Sequence, residues 1–301
     1  MTKKTNSNAE RTAWIGLPLI ILVGAALAWA GSSNGLEVNE FPIFALGIGL
    51  AYVLQWLIFI PSYLTHSERY FDLAGSLTFI TVSALVLFVS NNINQRSIIL
   101  VLFIAIWAFR LGAFLFSRIN KAGEDRRFRE IKQSFPRFLM AWTLQGLWVS
   151  FSLAAALAAI SSPISKPIGI IGSIGILFWI IGFFIEVVAD RQKNSFRADP
   201  KITDQYISKG LWAWSRHPNY FGEILLWFGI ATLAYPVLQG WQKITLLSPI
   251  FVFILLTRIS GIPMLERRAL EKWGRDKNYV SYKANTPVLF PRRPKKQKTG
   301  S

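Results

Sequence analysis

The chain has 301 residues, of which 52% are hydrophobic and only 16% are charged, a composition that favours an integral membrane protein over a soluble enzyme. It has no cysteine and two histidines, which excludes disulfides and cysteine nucleophiles and argues against a metal site. The net charge of +17 comes from basic residues gathered between apolar stretches, as in membrane proteins, so we expect no nucleic-acid partner.

Eight apolar stretches are long enough to cross a bilayer, which takes about 20 residues. The eighth is the weakest, because Lys243 and Pro249 interrupt it, so seven spans remain possible. The sequence therefore predicts an all-α, polytopic membrane helix bundle. We place the spans near residues 13–31, 41–61, 73–90, 97–117, 138–160, 167–188, 221–239 and 243–260.

The parts outside the spans complete this organisation. We expect residues 1–12 to be a disordered basic N-terminus and residues 292–301 a disordered basic tail. Between them, residues 13–291 should form a single transmembrane domain, with a cofactor-binding half at about 105–291. Lys and Arg alternate between the loops as they do when both termini are cytoplasmic. We expect a multi-pass protein of a bacterial inner membrane, or of the endoplasmic reticulum membrane in a eukaryote.

The stretch Trp212–Glu223 is the polar mouth of an apolar helix. Pro218 suits the first turn of a helix, where its missing N–H would have had no partner. The residues around it therefore lie at a helix N-terminus, which attracts anions such as phosphate. An interfacial belt is the alternative, but a belt does not need His, Asn and Glu at helical offsets. The polar residues are Arg216, His217, Asn219, Tyr220 and Glu223.

Two further features place charge at or inside the membrane. The sixth span continues as a polar stripe whose members recur four, three and four residues apart, namely Glu186, Asp190, Lys193 and Arg197. A solvated, salt-bridged stalk is the alternative interpretation of this stripe. Arg110 lies inside the fourth span, where a charge is costly unless it is paired or functional.

The stretch Ser215–Glu223 resembles the C-terminal signature of the steroid 5α-reductase-like membrane proteins, in particular their bacterial branch of unknown function. The resemblance covers about residues 45–291. Sterol reductases and isoprenylcysteine carboxyl methyltransferases carry related Arg-His-Pro-x-Tyr motifs. The motif therefore does not separate a reductase from a methyltransferase.

The resemblance implies a cofactor site made of loops and helix ends. In steroid 5α-reductases the residues that match Asp190 and Arg197 help to hold NADPH. The Arg-rich loop at 123–128 resembles the same branch, and the tail at 266–291 resembles the part of the superfamily that folds over the cofactor, although a basic helix on anionic lipid is the alternative. The expected cofactor-binding residues are Arg110, Arg126, Asp190, Lys193, Arg197, Arg216, His217, Asn219, Tyr220, Glu223, Glu266, Arg267, Tyr279 and Tyr282.

The stretch between the second and third spans also resembles the bacterial branch. In the steroid reductases a Glu and a Tyr polarise the substrate carbonyl, and Glu68 and Tyr70 are our catalytic candidates for those roles. An interfacial loop with ion pairs is the alternative. Trp107 stands where the reductase Tyr is expected, and a Trp cannot replace its hydroxyl. Either Tyr70 or another group substitutes, or the substrate is not an enone steroid.

The resemblance thus implies an oxidoreductase that uses NADPH to reduce a C=C bond conjugated to a carbonyl in a lipid-like or steroid-like substrate. The alternative is a methyltransferase that uses S-adenosylmethionine, as the isoprenylcysteine carboxyl methyltransferases do, and a second alternative is a non-enzymatic lipid-binding protein. The basic residues near Asp190 and in the loop at 126–129 favour NADPH, because S-adenosylmethionine has no phosphates. The expected partners are the bilayer and a lipid-like small molecule.

Overall fold

The computed structural model describes residues 2–125, 127–199, 202 and 204–294. It is an all-α, polytopic membrane helix bundle with one two-residue β-hairpin, as the composition predicts. Within the described residues, eight helical segments are long and apolar enough to cross a membrane. The helices are α1 (Thr2–Gly31), α2 (Ile43–Leu64), α3 (Phe71–Ser90), α4 (Gln95–Ala122), α5 (Phe135–Ile160), α6 (Ile170–Ala198), α7 (Pro218–Ala234), α8 (Ser248–Ile254), α9 (Ile262–Trp273) and α10 (Lys277–Asn285), and the strands are β1 (Glu37–Val38) and β2 (Phe41–Pro42).

The eighth candidate span, Gly240–Trp273, is irregular along its length. It begins as a 3-10 helix over Gly240–Leu247, becomes α8, loosens into a π turn over Leu255–Ile259 and continues as α9. Pro249 lies in the first turn of α8, where the missing N–H leaves no bond unmade. The interruptions seen in the sequence therefore change the helix type and do not remove the span.

The N-terminal expectation needs correction. Residues 1–12 were expected to be disordered, but α1 already begins at Thr2. This part of the sequence contains neither Gly nor Pro, and adding residues to a helix that the following apolar stretch has already nucleated costs little. At the other end, residues 292–294 have no regular secondary structure, and residues 295–301 of the expected disordered tail lie outside the described residues.

The contacts divide the expected single transmembrane domain of residues 13–291 into two compact units. The first unit contains the residues up to Ser173 together with Ala231–Ser248, and the second contains Ile174–Ile230 together with the residues from Pro249 onward. In the first unit α5 is the most buried span, because its last turns, Ala154–Ile160, are buried on every side. Small alanines on this helix allow its neighbours to pack closely around it.

In the second unit α6 and α7 pack against each other through glycines. A Cβ atom at Gly182 would lie 2.6 Å from the carbonyl oxygen of Gly222, so a larger residue would force the helices apart. This close approach brings polar residues of the two helices into contact, and Asn219 Nδ2 donates to Asp190 Oδ1 at 3.2 Å. The packing thus fixes the end of α6 beside the start of α7.

Candidate functional site

The second unit contains a cavity of about 610 Å³ at the end of α6. The segment that follows α6, the residues just before α7, and helices α9 and α10 complete its walls. Its volume is in the range of small-molecule and cofactor sites, which measure about 300–1,000 Å³. Among the described residues, five basic, three acidic and six aromatic side chains line it, namely Lys193, Arg197, Arg216, Arg268 and Lys272, then Asp199, Asp204 and Glu266, then Phe196, Tyr206, Trp212, Trp273, Tyr279 and Tyr282.

One carboxylate binds two signature residues in this cavity. Arg216 Nη1 donates to Glu266 Oε2 at 2.6 Å, and His217 Nε2 lies 2.9 Å from Glu266 Oε1. Lys283 adds a second cation 3.6 Å from Glu266 Oε2. The carboxylate therefore fixes the orientation of both residues that precede α7.

His217 is neutral near pH 7. Burial lowers the pKa of His217 below its ordinary value, and the hydrogen bond and charge of Glu266 offset this only in part. The neutral ring donates from Nε2 to Glu266, which leaves Nδ1 as a buried acceptor without a hydrogen-bond partner among the described residues. The ring also stacks on Tyr220, with centroids 5.7 Å apart and planes at 9°. His217 thus offers a fixed acceptor to a hydrogen-bond donor.

The local sequence explains how the chain holds this geometry. Pro218 starts α7, and the Ser215 hydroxyl accepts from the His217 N–H at 3.1 Å while donating to Leu289 O at 2.8 Å. The Arg216 N–H donates to Pro287 O at 2.9 Å. Backbone bonds therefore attach the C-terminal segment directly to the signature. Tyr282 adds a hydrogen bond from its side chain, because its hydroxyl donates to the backbone carbonyl of Trp212 at 2.7 Å.

Four aromatic side chains form a cluster at the cavity. Tyr206 is central, with ring centroids 5.0 Å from Tyr279, 5.4 Å from Tyr282 and 6.0 Å from Trp273. Burial raises the pKa of each of the three tyrosines, so their hydroxyls stay protonated, and those of Tyr206 and Tyr279 can donate to a ligand. The cluster presents flat apolar faces together with hydroxyl donors, which suits a ligand that contains planar rings.

In the part of the cavity lining that the structure describes, basic side chains outnumber acidic ones by five to three. Lys193 Nζ lies 4.5 Å from the centroid of the Trp212 ring, and Lys272 pairs with Asp204. Arg268 lines the same cavity from α9. The excess of positive charge makes the cavity attractive to anions, and guanidinium groups can bind phosphate oxygens in bidentate fashion.

Comparison with known proteins adds the family. A family described as "Protein of unknown function (DUF1295)" matches residues 58–286. The chain belongs to this family. DUF1295 is part of the steroid 5α-reductase-like group. A relative, the uncharacterized protein C594.04c of Schizosaccharomyces pombe (strain 972 / ATCC 24843), is 23% identical over 283 residues, which cover 83% of this chain and 80% of the relative. No solved structure matches the chain.

The DUF1295 match contains the whole cavity, and seven of the expected cofactor-binding residues line it. These are Lys193, Arg197, Arg216, His217, Glu266, Tyr279 and Tyr282. Four others stand outside its lining. Asp190 and Asn219 bond to each other, Tyr220 stacks on His217, and Glu223 is half-buried one turn further along α7. Asp190 and Tyr220 thus contact residues of the signature but do not line the cavity themselves.

Arg267 does not line the cavity, contrary to our expectation for the tail. Its side chain is 73% exposed and lies 3.8 Å from Glu271 on the outer face of α9. The neighbouring Arg268 lines the cavity instead. Successive residues of a helix point about 100° apart, so one position separates a lining residue from an exposed one. Arg126, also expected at the site, lies outside the described residues.

Several residues that line the cavity were not predicted from the sequence, among them Arg268, Trp273 and Tyr206. Trp273 and Arg268 belong to the inner face of α9, and the spacing from Glu266 to Trp273 is seven residues, or two helical turns. A helical wheel anchored on Glu266 would have found Trp273. Tyr206 lies in the segment after α6, where no periodic pattern exists, so nothing in the sequence marked it.

The remaining candidates belong to the first unit. The Glu68 side chain is buried, its Oε1 accepts from the Asp125 N–H at 2.8 Å, and its Oε2 pairs with Lys132 Nζ at 2.7 Å. In this structure Glu68 therefore anchors the basic loop between α4 and α5. Tyr70 is half-exposed and stacks on Phe116.

Trp107 and Arg110 lie on α4 of the first unit. The guanidinium carbon of Arg110 lies 6.0 Å from the centroid of the Phe114 ring. Trp107, at the position of the expected reductase Tyr, is buried, and its ring meets the Phe79 ring edge-on at 5.1 Å. Trp107 is thus a packing residue of this unit.

Proposed function

We propose that the protein is a membrane-embedded reductase that binds NADPH in the cavity of its second unit. Its substrate would be a lipid-like or steroid-like molecule with a C=C bond conjugated to a carbonyl. The observation that carries the proposal is the lining of the cavity, where five basic side chains meet a cluster of four aromatic rings. Membership of the steroid 5α-reductase-like group supports the same assignment.

The chemistry of the lining fits a phosphorylated dinucleotide. Lys193, Arg197 and Arg268 would neutralise the phosphates of NADPH through charge-assisted hydrogen bonds. The faces of Tyr206 and Trp273 suit its flat rings. When bound, the cofactor supplies the hydride, and the protein supplies position and charge.

The neutral imidazole gives a specific role within this proposal. His217 Nδ1 is an acceptor that Glu266 orients through the other ring nitrogen, so a carboxamide or hydroxyl of the ligand can donate to it. On the substrate side, Tyr70 and Glu68 remain our candidates. Tyr70 has a half-exposed phenol that can donate to a carbonyl, while Glu68 would act by holding its loop.

A second candidate function has one observation in its favour. Aromatic faces attract a positively charged sulfonium group by the cation–π interaction, and the cavity holds four clustered rings. A methyltransferase that uses S-adenosylmethionine would exploit this cluster. S-adenosylmethionine has no phosphates that could interact with the excess of basic side chains in the lining, so the lining favours NADPH.

Thermal unfolding of the detergent-purified chain with NADPH, NADH or S-adenosylmethionine separates these functions, because a ligand that binds only the folded state raises the melting temperature. We expect the largest rise with NADPH and a smaller one with NADH, which lacks the 2′-phosphate. A rise with S-adenosylmethionine and none with NADPH would contradict the reductase assignment and favour the methyltransferase.

The proposal also includes the location of the protein. We propose a bacterial inner membrane, or the endoplasmic reticulum membrane in a eukaryote, with both termini in the cytoplasm.

A further inference from the structure

A second cavity, of about 420 Å³, opens on the side of α6. Arg191 of α6 and Lys209 of the following segment line it, and neither forms an ion pair among the described residues. None of its described lining residues is acidic. Two uncompensated cations in one small cavity favour an anionic ligand.

An apolar stripe on α6 leads to this cavity. The exposed residues Leu177, Ile181, Phe184 and Val188 are spaced four, three and four apart, so they share one face of the helix. Val188 lines the cavity, and Arg191 follows it three residues later on the same face. Because α6 is long and apolar enough to span a membrane, this face lies against acyl chains and ends at a cation.

Gln192 lines the cavity, and a hydrogen bond to the backbone holds its side chain in place. Gln192 Oε1 accepts from the Leu211 N–H at 3.0 Å, which ties α6 to the 3-10 turn at Gly210–Ala213. Gly210 has φ +61°, and a Cβ atom there would lie 2.6 Å from Gln192 Nε2. The glycine therefore allows the amide to stay in place, and its NH₂ group remains a donor at the cavity.

We propose that this cavity holds the headgroup of one anionic phospholipid, with the phosphate between Arg191 and Lys209 and an acyl chain along the stripe from Leu177 to Val188. Charge complementarity identifies the headgroup, and the exposed stripe identifies the chain. The inference does not depend on NADPH binding. Phe196 and Ile207 line both cavities, so the bound lipid would contact a wall of the candidate cofactor site.

Native mass spectrometry of the full chain in detergent tests the proposal with phosphatidylglycerol and phosphatidylcholine as probes. Each cation near an anionic lipid contributes about fivefold in affinity, so we expect phosphatidylglycerol to bind about 25-fold more tightly than phosphatidylcholine. Arg191→Gln with Lys209→Gln should remove this preference, and Arg191→Lys should keep it. The matched control, Arg267→Gln with Arg275→Gln, removes two exposed charges elsewhere in the unit and should change it less than about twofold.

The outcomes separate a lipid from other sources of phosphate. Glycerol 1-phosphate at the concentration of the lipid should not displace it, because the acyl chain contributes apolar contact along α6. Displacement would show a site for free phosphate and overturn the proposal. An equal loss in the control variant, or equal binding of the two lipids by the unaltered chain, would also overturn it. If the double variant does not fold, Arg191→Gln and Lys209→Gln are measured singly.

Discussion

Replacing Glu266 with Gln removes the carboxylate that binds the signature. The side chain contacts Arg216 Nη1 at 2.6 Å and His217 Nε2 at 2.9 Å, with Lys283 3.6 Å away. The side chains of Arg216 and Glu266 are only 10% and 19% exposed, so water does not replace the lost contacts fully. Glutamine keeps the size and one acceptor, but it loses the charge and turns an NH₂ group toward one of the donors.

The free energy of unfolding should fall by about 3 kcal/mol. A hydrogen bond to a charged group contributes about 1.5–3 kcal/mol, and breaking a buried ion pair costs about 3–5 kcal/mol. The acceptor that Glu266→Gln keeps places the loss near the lower end of the second range. Since 1 kcal/mol shifts the melting temperature of a domain of 150–250 residues by about 2–4 °C, we expect a decrease of roughly 6–12 °C.

Tryptophan fluorescence during thermal unfolding measures this decrease, with Glu271→Gln as the matched control on the same helix. Glu271 pairs with Arg267 at 3.8 Å, and both side chains are exposed. Such a pair contributes less than about 1 kcal/mol, so the control should shift the melting temperature by no more than about 4 °C. Equal shifts in the two variants would contradict this prediction, because they would show that Glu266 stabilises the unit no more than a surface carboxylate does.

Three further predictions concern His217, the membrane topology and Tyr70. Because burial lowers the pKa of His217, the unfolded state binds its proton first as the pH falls below about 6.5, so acidification should lower the melting temperature, and His217→Gln should remove that part of the decrease. Reporter fusions after Lys166 and after Lys209 should report opposite sides of the membrane, and the same side for both would contradict the expected topology. Tyr70→Phe should leave NADPH affinity within about twofold but lower turnover, and an equal loss of binding would place Tyr70 with the cofactor.

Hydropathy was sufficient to predict the helical bundle, because a bilayer requires every spanning backbone to satisfy its own hydrogen bonds. It could not predict helix type in the last span, where Pro249 is accommodated in the first turn of α8 and the chain then loosens into a π turn. Hydropathy also did not predict that α1 begins at Thr2, because composition alone does not show that an existing helix can extend into a polar stretch.

The polar stripe on α6 shows what periodicity can and cannot predict about a site. All four of its members share a face, but only Lys193 and Arg197 line the cavity. Asp190 instead bonds to Asn219 of α7, and Glu186 is buried. The two halves of the stripe have different surroundings because α7 packs against the first half. A helical wheel of α6 alone cannot predict where a neighbouring helix packs. Tyr206 escaped prediction for a related reason, since tertiary contacts alone bring its loop to the cavity.

Whether the cavity binds NADPH is tested by comparing the NADPH affinity of the Arg268→Ala variant with that of the Arg267→Ala variant. These adjacent residues carry the same charge but differ in position. Arg268 lines the cavity, whereas Arg267 lies on the outer face of α9. A charge-assisted phosphate contact contributes about 1.5–3 kcal/mol, and Arg268 is exposed, so its loss should weaken NADPH binding by about tenfold. Titration by nicotinamide fluorescence should show less than about a twofold change for Arg267→Ala. Equal affinities of the two variants, or no binding of NADPH by the unaltered chain, would contradict the assignment of the cavity.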